Sequence, residues 1–266
     1  FREYFDVTQL QLYDRLYGAT QIDDAVFAAY INDVADKAME LQNKIERAYE
    51  LQCAQVLENG IVQVKVGKNI DYTRKADSLK DLGGGNYWAS GSVDPATSIE
   101  EGCNFLRKVG KAEGGVFNML LGSTALRDLL ANAKVQDRGK IYNYSLDQIA
   151  PPQRNSVGAT FHGEISAGSY RVRLWAYPQF YDNAQGVSTP YLNAKKAIII
   201  PETPRFKLAF AAVPQLLSPN TPPKVGAFIM NEYEDKRAKS RIMDIESAGI
   251  AVPVAVDTIY TMQVVA

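Results

Sequence analysis

The chain is poor in the residues that most often carry chemistry. It has one histidine, His162, and two cysteines, Cys53 and Cys103. Two cysteines are too few for a disulfide framework or a structural zinc site. The expected state is two reduced thiols in a cytosolic protein, both used for packing. Long apolar runs are also missing. The longest pure one, Ala197-Ile198-Ile199-Ile200, is strand-sized, far short of the ~18 residues of a membrane span. No segment reads as a signal peptide. Neither sign of charge dominates, with a net charge of −1 over 266 residues. A chain whose main partner is naked DNA or RNA carries a basic excess instead. The 19 glycines and 12 prolines exclude a collagen-like or low-complexity chain. A start at Phe1 rather than methionine is expected of a processed product or a fragment of a longer gene product.

What is present fits a soluble globular protein, with 46% hydrophobic and 22% charged residues. The length allows one large domain or two modest ones. Residues 1–20 read as aromatic-rich and irregular (Tyr4, Phe5, Tyr13, Tyr17), with a helical turn or two at Leu10–Leu16. Thr20 and Asp23 then form a capping-box signal. Ile22, Val26, Tyr30, Val34, Leu41 and Ile45 make a stripe at helical spacing, continued more weakly by Ala48, Gln52 and Val56. Asn59-Gly60 is a stop. The pattern predicts a helix over 21–58, ~57 Å long. A coiled coil is the competing reading, but the stripe drifts from a strict heptad. The opposite face, with Asp33, Asp36, Lys37, Glu40, Lys44, Glu46 and Arg47, reads as solvated or subunit-facing.

Alternation on both sides of Gly67-Lys68-Asn69 predicts a β-hairpin from Ile61 to Tyr72. Residues 75–95 read as a loop, with Trp88 expected to pack. Helices are expected at 97–109 and at 123–132, the latter capped by Ser123 or Gly122, with a buried strand at 116–121 between them. Residues 133–160 read as irregular. Strands are expected at 160–165, 169–177, 195–200, 206–211, 251–254 and 259–265. Residues 212–225 hold four prolines, and residues 226–246 read as a strand-like start and a charged stretch, Glu232–Arg241, the latter a solvated charge run. The class is α+β.

No constellation carries an evident chemistry. His162 is a candidate general base. It has no nucleophile elbow to serve, and a half-exposed strand residue is the better reading. Gly83-Gly84-Gly85 resembles neither a Walker loop nor a dinucleotide fingerprint, since position 88 is Trp. It reads as a flexible loop. Asp235-Lys236-Arg237 reads as a solvated face. Asn143-Tyr144-Ser145 matches a glycosylation sequon without secretory context. No catalytic, metal or cofactor-binding residue is expected, and no cofactor.

Several ordered signals together resemble the major capsid protein of tailed bacteriophages, in the lambda-type (capsid protein E) branch. Glu46-Arg47-Ala48-Tyr49-Glu50-Leu51-Gln52-Cys53-Ala54-Gln55-Val56-Leu57-Glu58-Asn59-Gly60 running into Ile61–Val66 resembles the family's long helix and following hairpin. Trp88 with Asp94-Pro95 and Ile99 resembles its entry into the next helix. Val116-Phe117-Asn118-Met119 with Ala125–Leu130, then Ile198–Val213 and the closing Ile259–Val265, extend the likeness over nearly the whole chain. The resemblance implies an α+β Hong Kong 97-type capsid fold. Residues 1–20 would be a remnant leading from the E-loop. The peripheral domain would take 21–87, with spine helix 21–58 and the β-hairpin. The axial domain would take 88–201, and the peripheral domain would return over 202–266. Only twenty residues precede the spine helix here, where the family has an N-arm and E-loop. No cross-link residue is implied.

The implied function is a non-enzymatic shell protein of a phage or prophage. It would self-assemble through hexamers and pentamers into an icosahedral virion capsid, formed in the host cytoplasm. DNA would be enclosed without sequence-specific binding, and no membrane is involved. Further implied partners are scaffold, protease, portal and decoration proteins. The alternatives are an encapsulin-like nanocompartment shell and, from another class, a cytosolic α+β enzyme using His162.

Overall fold

A computed structural model describes residues 1–8, 24–65, 67–141, 153–154, 158–183, 185–214, 222–235, 237 and 240–266. The chain divides into two compact units, residues 1–50 with 208–251 and residues 51–207 with 252–266.

The first unit is built on helix α1 (Asp24–Glu58), whose last turns belong to the second unit. Leu41, Ile45 and Tyr49 are buried at four-residue steps. They meet Ile245, with Phe5, Phe210 and Phe228 packed around them. The expected stripe holds at Leu41 and Ile45 and again at Gln52 and Val56, but Tyr49 rather than Ala48 is the buried position between them. Positions 20–23 lie outside the described residues, and the side chains of Val26 and Tyr30 lie outside the described side chains. A three-stranded antiparallel sheet completes the unit, in the order β1 (Arg2–Thr8), β14 (Ser240–Glu246), β13 (Ile229–Asp235).

This sheet corrects one expectation. Residues 2–8 are a strand, not irregular chain, because all seven pair with β14, from Arg2 opposite Glu246 to Thr8 opposite Ser240. The strand-like start beyond residue 226 is β13, and in the charged stretch Glu232 and Arg237 are exposed while Glu234 stands opposite Arg241 in register. Opposite charges across a ladder support strand pairing.

The second unit holds a seven-stranded mixed sheet. Its order is β4 (Leu79–Asp81), β16 (Tyr260–Gln263), β11 (Lys196–Pro201), β5 (Val116–Leu121), β8 (Tyr170–Ala176), β7 (Thr160–Ala167) and β6 (Gln153–Arg154). The β16–β4 and β5–β8 pairs are parallel and the rest antiparallel. Strict alternation in β5 buries Phe117, Met119 and Leu121 on one face. That face packs on helix α2 (Pro95–Lys108) through Ile99, Cys103 and Leu106, and on helix α3 (Ser123–Ala131) through Ala125 and Leu129. The Asp94 side chain caps α2 by accepting from the Ala96 N–H at 3.1 Å, and Pro95 occupies its first turn. Gly122 is the N-cap of α3.

A further helix, α4 (Ala133–Ile141), stands where irregular chain was expected. Its start is fixed by Asn132, whose Oδ1 accepts from the Lys134 N–H at 2.9 Å. Its polar sequence carries no apolar stripe, so periodicity could not reveal it. Three two-stranded ladders complete the described strands: β2 (Ile61–Lys65) with β3 (Lys68–Asp71), β9 (Phe180–Asp182) with β10 (Ser188–Pro190), and β12 (Phe206–Phe210) with β15 (Gly249–Pro253).

Candidate functional site

The residues singled out by sequence do not converge. His162 is the extra residue of a bulge in β7, because Phe161 pairs with Trp175 and Gly163 with Leu174. It is half-buried, and burial lowers its pKa, so the imidazole is neutral at pH 7. Among the described residues no carboxylate or nucleophile is hydrogen-bonded to it. Gly83, Gly84 and Gly85 all have positive φ (+51°, +53° and +92°). They form a turn pinned by Asp81, which accepts from the Gly83 N–H at 3.0 Å. This turn lies well before α2 and does not open a helix. Cys103 is fully buried in the core. Burial first, and then the charge of Glu100, push its thiol up to about 12. Cys53 is exposed, not packed, since it falls off the Tyr49–Gln52–Val56 stripe of α1. The Asn143 sequon lies outside the described residues. Among the described residues no three His, Cys, Asp or Glu side chains gather as metal ligands.

What the fold builds instead are three buried polar clamps. In the second unit, Arg74 reaches the C-terminal end of α1. Its Nη1 donates to the Leu57 carbonyl at 2.9 Å and to Thr261 Oγ1 at 3.0 Å. Its Nη2 donates to the carbonyls of Ser78 at 3.0 Å and Ile259 at 2.9 Å. The Leu57 carbonyl is one that a helix end leaves without an intrahelical partner. The guanidinium also supplies the cation that the helix dipole favours there and that the last turn of α1 lacks. Burial pulls the Arg74 pKa down to about 10. Gly60 ends the helix in the left-handed region, at φ +72°, with a Cβ position only 2.5 Å from Arg74 Cδ.

In the first unit, Ser247 Oγ gives its proton to the Ala227 carbonyl. The Tyr49 hydroxyl must therefore donate to Ser247 Oγ, and it accepts from the Gly249 N–H at 3.0 Å. The Phe1 ring packs edge-on against Tyr49, centroids 5.3 Å apart. The third clamp is Asn132, whose Nδ2 donates to the carbonyls of Trp88 (2.8 Å), Val93 (3.1 Å) and Ser90 (3.2 Å). It fixes the loop leading into α2 below the buried Trp88. Sequence reasoning missed all three, because their partners lie far apart along the chain.

The outer surface has its own pattern. Large exposed apolar side chains sit on the small sheets: Ile61, Val64 and Ile70 on or beside β2–β3, Phe180 and Val187 on or beside β9–β10, Phe206 and Leu208 on β12, and Tyr4, Met230 and Tyr233 on the three-stranded sheet. Among the described residues each of these sheets has only two or three strands, so edges without a strand partner among those residues lie beside apolar side chains. Leu79, as exposed as Ile61, lies on the large sheet, which among the described residues ends in strands of three and two residues, β4 and β6. Short edge strands are how proteins blunt an edge that must not pair. Apolar, open-edged surface is what a partner covers.

Comparison with known proteins places this chain among phage proteins. The model of the family described as phage major capsid protein E matches residues 8–264. No curated protein matches the chain. A prophage capsid protein from E. coli CFT073 superimposes with a TM-score of 0.70 at 14% identity, covering 100% of this chain and 76% of that one. A phage-related protein from Bordetella bronchiseptica RB50 gives a TM-score of 0.51 at 14% identity, covering 99% of this chain and 74% of that one. At such identities the likeness is one of fold.

Proposed function

The chain belongs to the phage major capsid protein E family, and on that basis we propose how it serves as the shell of a tailed-phage or prophage head. It is a structural protein with the α+β Hong Kong 97-type capsid fold. The family match over 8–264 carries this reading. Copies associate into hexamers and pentamers and close an icosahedral shell around DNA. The apolar, open-edged small sheets support that association, since each offers surface that a neighbouring copy can bury. The net charge of −1 suits a container that encloses DNA without gripping its sequence. Assembly takes place in the host cytoplasm, with scaffold, protease, portal and decoration proteins as further partners. The family match favours the phage shell over an encapsulin-type container.

We assign residues 21–87, with the spine helix and the β2–β3 hairpin, and residues 202–266 to the peripheral domain, and residues 88–201 to the axial domain.

The protein carries no catalytic activity, and His162 is a bulge residue of a strand. Sedimentation velocity of the full-length gene product should give fast-sedimenting assemblies, and His162→Ala should leave their proportion unchanged. Loss of a measurable turnover on that substitution would replace the structural reading with the enzyme one.

A further inference from the structure

Helix α1 carries an ordered row of charges on its outer side. Asp36, Glu40, Lys44 and Arg47 are all exposed. At about 100° per residue they fall within about 80° of one another, turned away from the buried Leu41, Ile45 and Tyr49. Met39, 56% exposed, and the exposed Asn43 flank the row. Its order suits a partner better than the helix itself. Asp36 and Glu40 are like charges four residues apart, Lys44 and Arg47 like charges three apart, and such steps destabilise a lone helix. The attractive step is the central one, Glu40 to Lys44 at 3.2 Å, whose side chains stay 64% and 42% exposed. An ion pair so exposed adds little stability.

Acids first and bases last make the row complementary to itself when a second copy runs antiparallel. Asp36 then meets Arg47, Glu40 meets Lys44, and symmetry repeats both pairs. Both pairings place the twofold axis level with residues 41–42, so one register satisfies them all. A parallel neighbour in register would instead set like charges against like. We propose that α1 of one copy packs antiparallel on α1 of a second copy across this axis, with Met39 of each beside Asn43 of the other. This rests on the shell reading above and specifies one of its contacts. The patch meets its own counterpart, so the contact is isologous. It therefore joins neighbouring capsomers across a twofold axis rather than closing a ring within one. The row is about 17 Å long. A contact of that length falls short of the ~1,200 Å² of a stable dimer, as suits one contact among several in a shell.

The test mixes two variants of the full-length gene product. Lys44→Glu with Arg47→Glu makes the row wholly acidic, and Asp36→Lys with Glu40→Lys makes it wholly basic. Each alone should raise the concentration needed for assembly by about 10-fold, as attraction across the axis becomes repulsion. An equimolar mixture should assemble close to the concentration the unmodified protein needs, because acidic rows then meet basic ones. Mixing cannot repair a defect within the helix, so rescue isolates the contact between copies. Unchanged assembly of either variant alone, or helix content retained by circular dichroism with no rescue, overturns the docking and leaves the shell reading standing. Unmodified protein that stays monomeric overturns both. Cross-linking gives a second arm that leaves the row intact. In a Cys53→Ser background, Asn43→Cys lies beside the axis, and a short bismaleimide should link it into dimers within assembled particles. Asn32→Cys, about 29 Å from its symmetry mate along the helix, should stay unlinked. Particles in which Asn43→Cys stays unlinked overturn the proposal.

Discussion

At the scale of single residues, Cys103 is a fully buried titratable group. Its thiol is raised from 9.0 to about 12 by burial and Glu100, so the fold holds it neutral while the unfolded chain ionises it first. The resulting stabilisation is complete below about pH 9 and is lost as pH rises towards 12. Tyr260, raised from 10.0 to about 12, acts in the same direction. Arg74 acts in the opposite one, because its lowered pKa means that the cost of burying the cation is relieved above about 10. Comparing denaturant midpoints of Cys103→Ala and the unmodified protein from pH 8 to 11 isolates the thiol. The variant should lose less stability over that range, and parallel curves would refute the assignment. The sequence analysis expects both cysteines to pack, and Cys103 does. It did not show that Cys53 would face outward, because one position of drift along a 35-residue helix moves a side chain by 100°. The same drift made Tyr49, not Ala48, the core residue.

At the scale of elements, the fold depends on where helices meet strands. Helix α2 lies so close to the sheet that a Cβ at Gly102 would sit 2.7 Å from Tyr260 Cδ1 and 2.8 Å from Ile199 Cδ1. Gly102→Ala should therefore cost about 1–3 kcal/mol by overpacking, despite Ala's better helix propensity. Urea unfolding measures it, and a stabilised variant would contradict the close approach. Arg74→Ala should cost roughly 2–4 kcal/mol in the same assay, since three carbonyls and a hydroxyl lose a charged donor. Arg74→Lys should recover only part, because an ammonium cannot span the same fork. A neutral Arg74→Ala would mean that the C-terminal end of α1 is held by Thr261 alone.

Elements with a strong period are legible in the amino-acid sequence itself: α1, the hairpin, β5, α2, and strands β7, β8, β11 and β16. Those that sequence reasoning misses lack a period of their own. Strand β1 is defined only by its pairing with β14, and α4 by the cap at Asn132. Nothing near Arg74 in sequence announces partners at positions 57, 78, 259 and 261, so its clamp is legible only in three dimensions.

At the scale of the whole molecule, the diffuse likeness of ordered weak signals proved more informative than any motif. No catalytic set is legible in the sequence. Exposed apolar residues such as Val64, Ile70 and Phe180 carry the same sequence pattern as buried ones, and only the structure shows that they are exposed. The proposed function requires copies of this chain to close into a shell. Negative-stain electron microscopy of the purified full-length gene product tests it most directly. Closed particles tens of nanometres across, built of hexameric and pentameric capsomers, are the expected result. A field of dispersed monomers or dimers at concentrations that sustain phage assembly would contradict it.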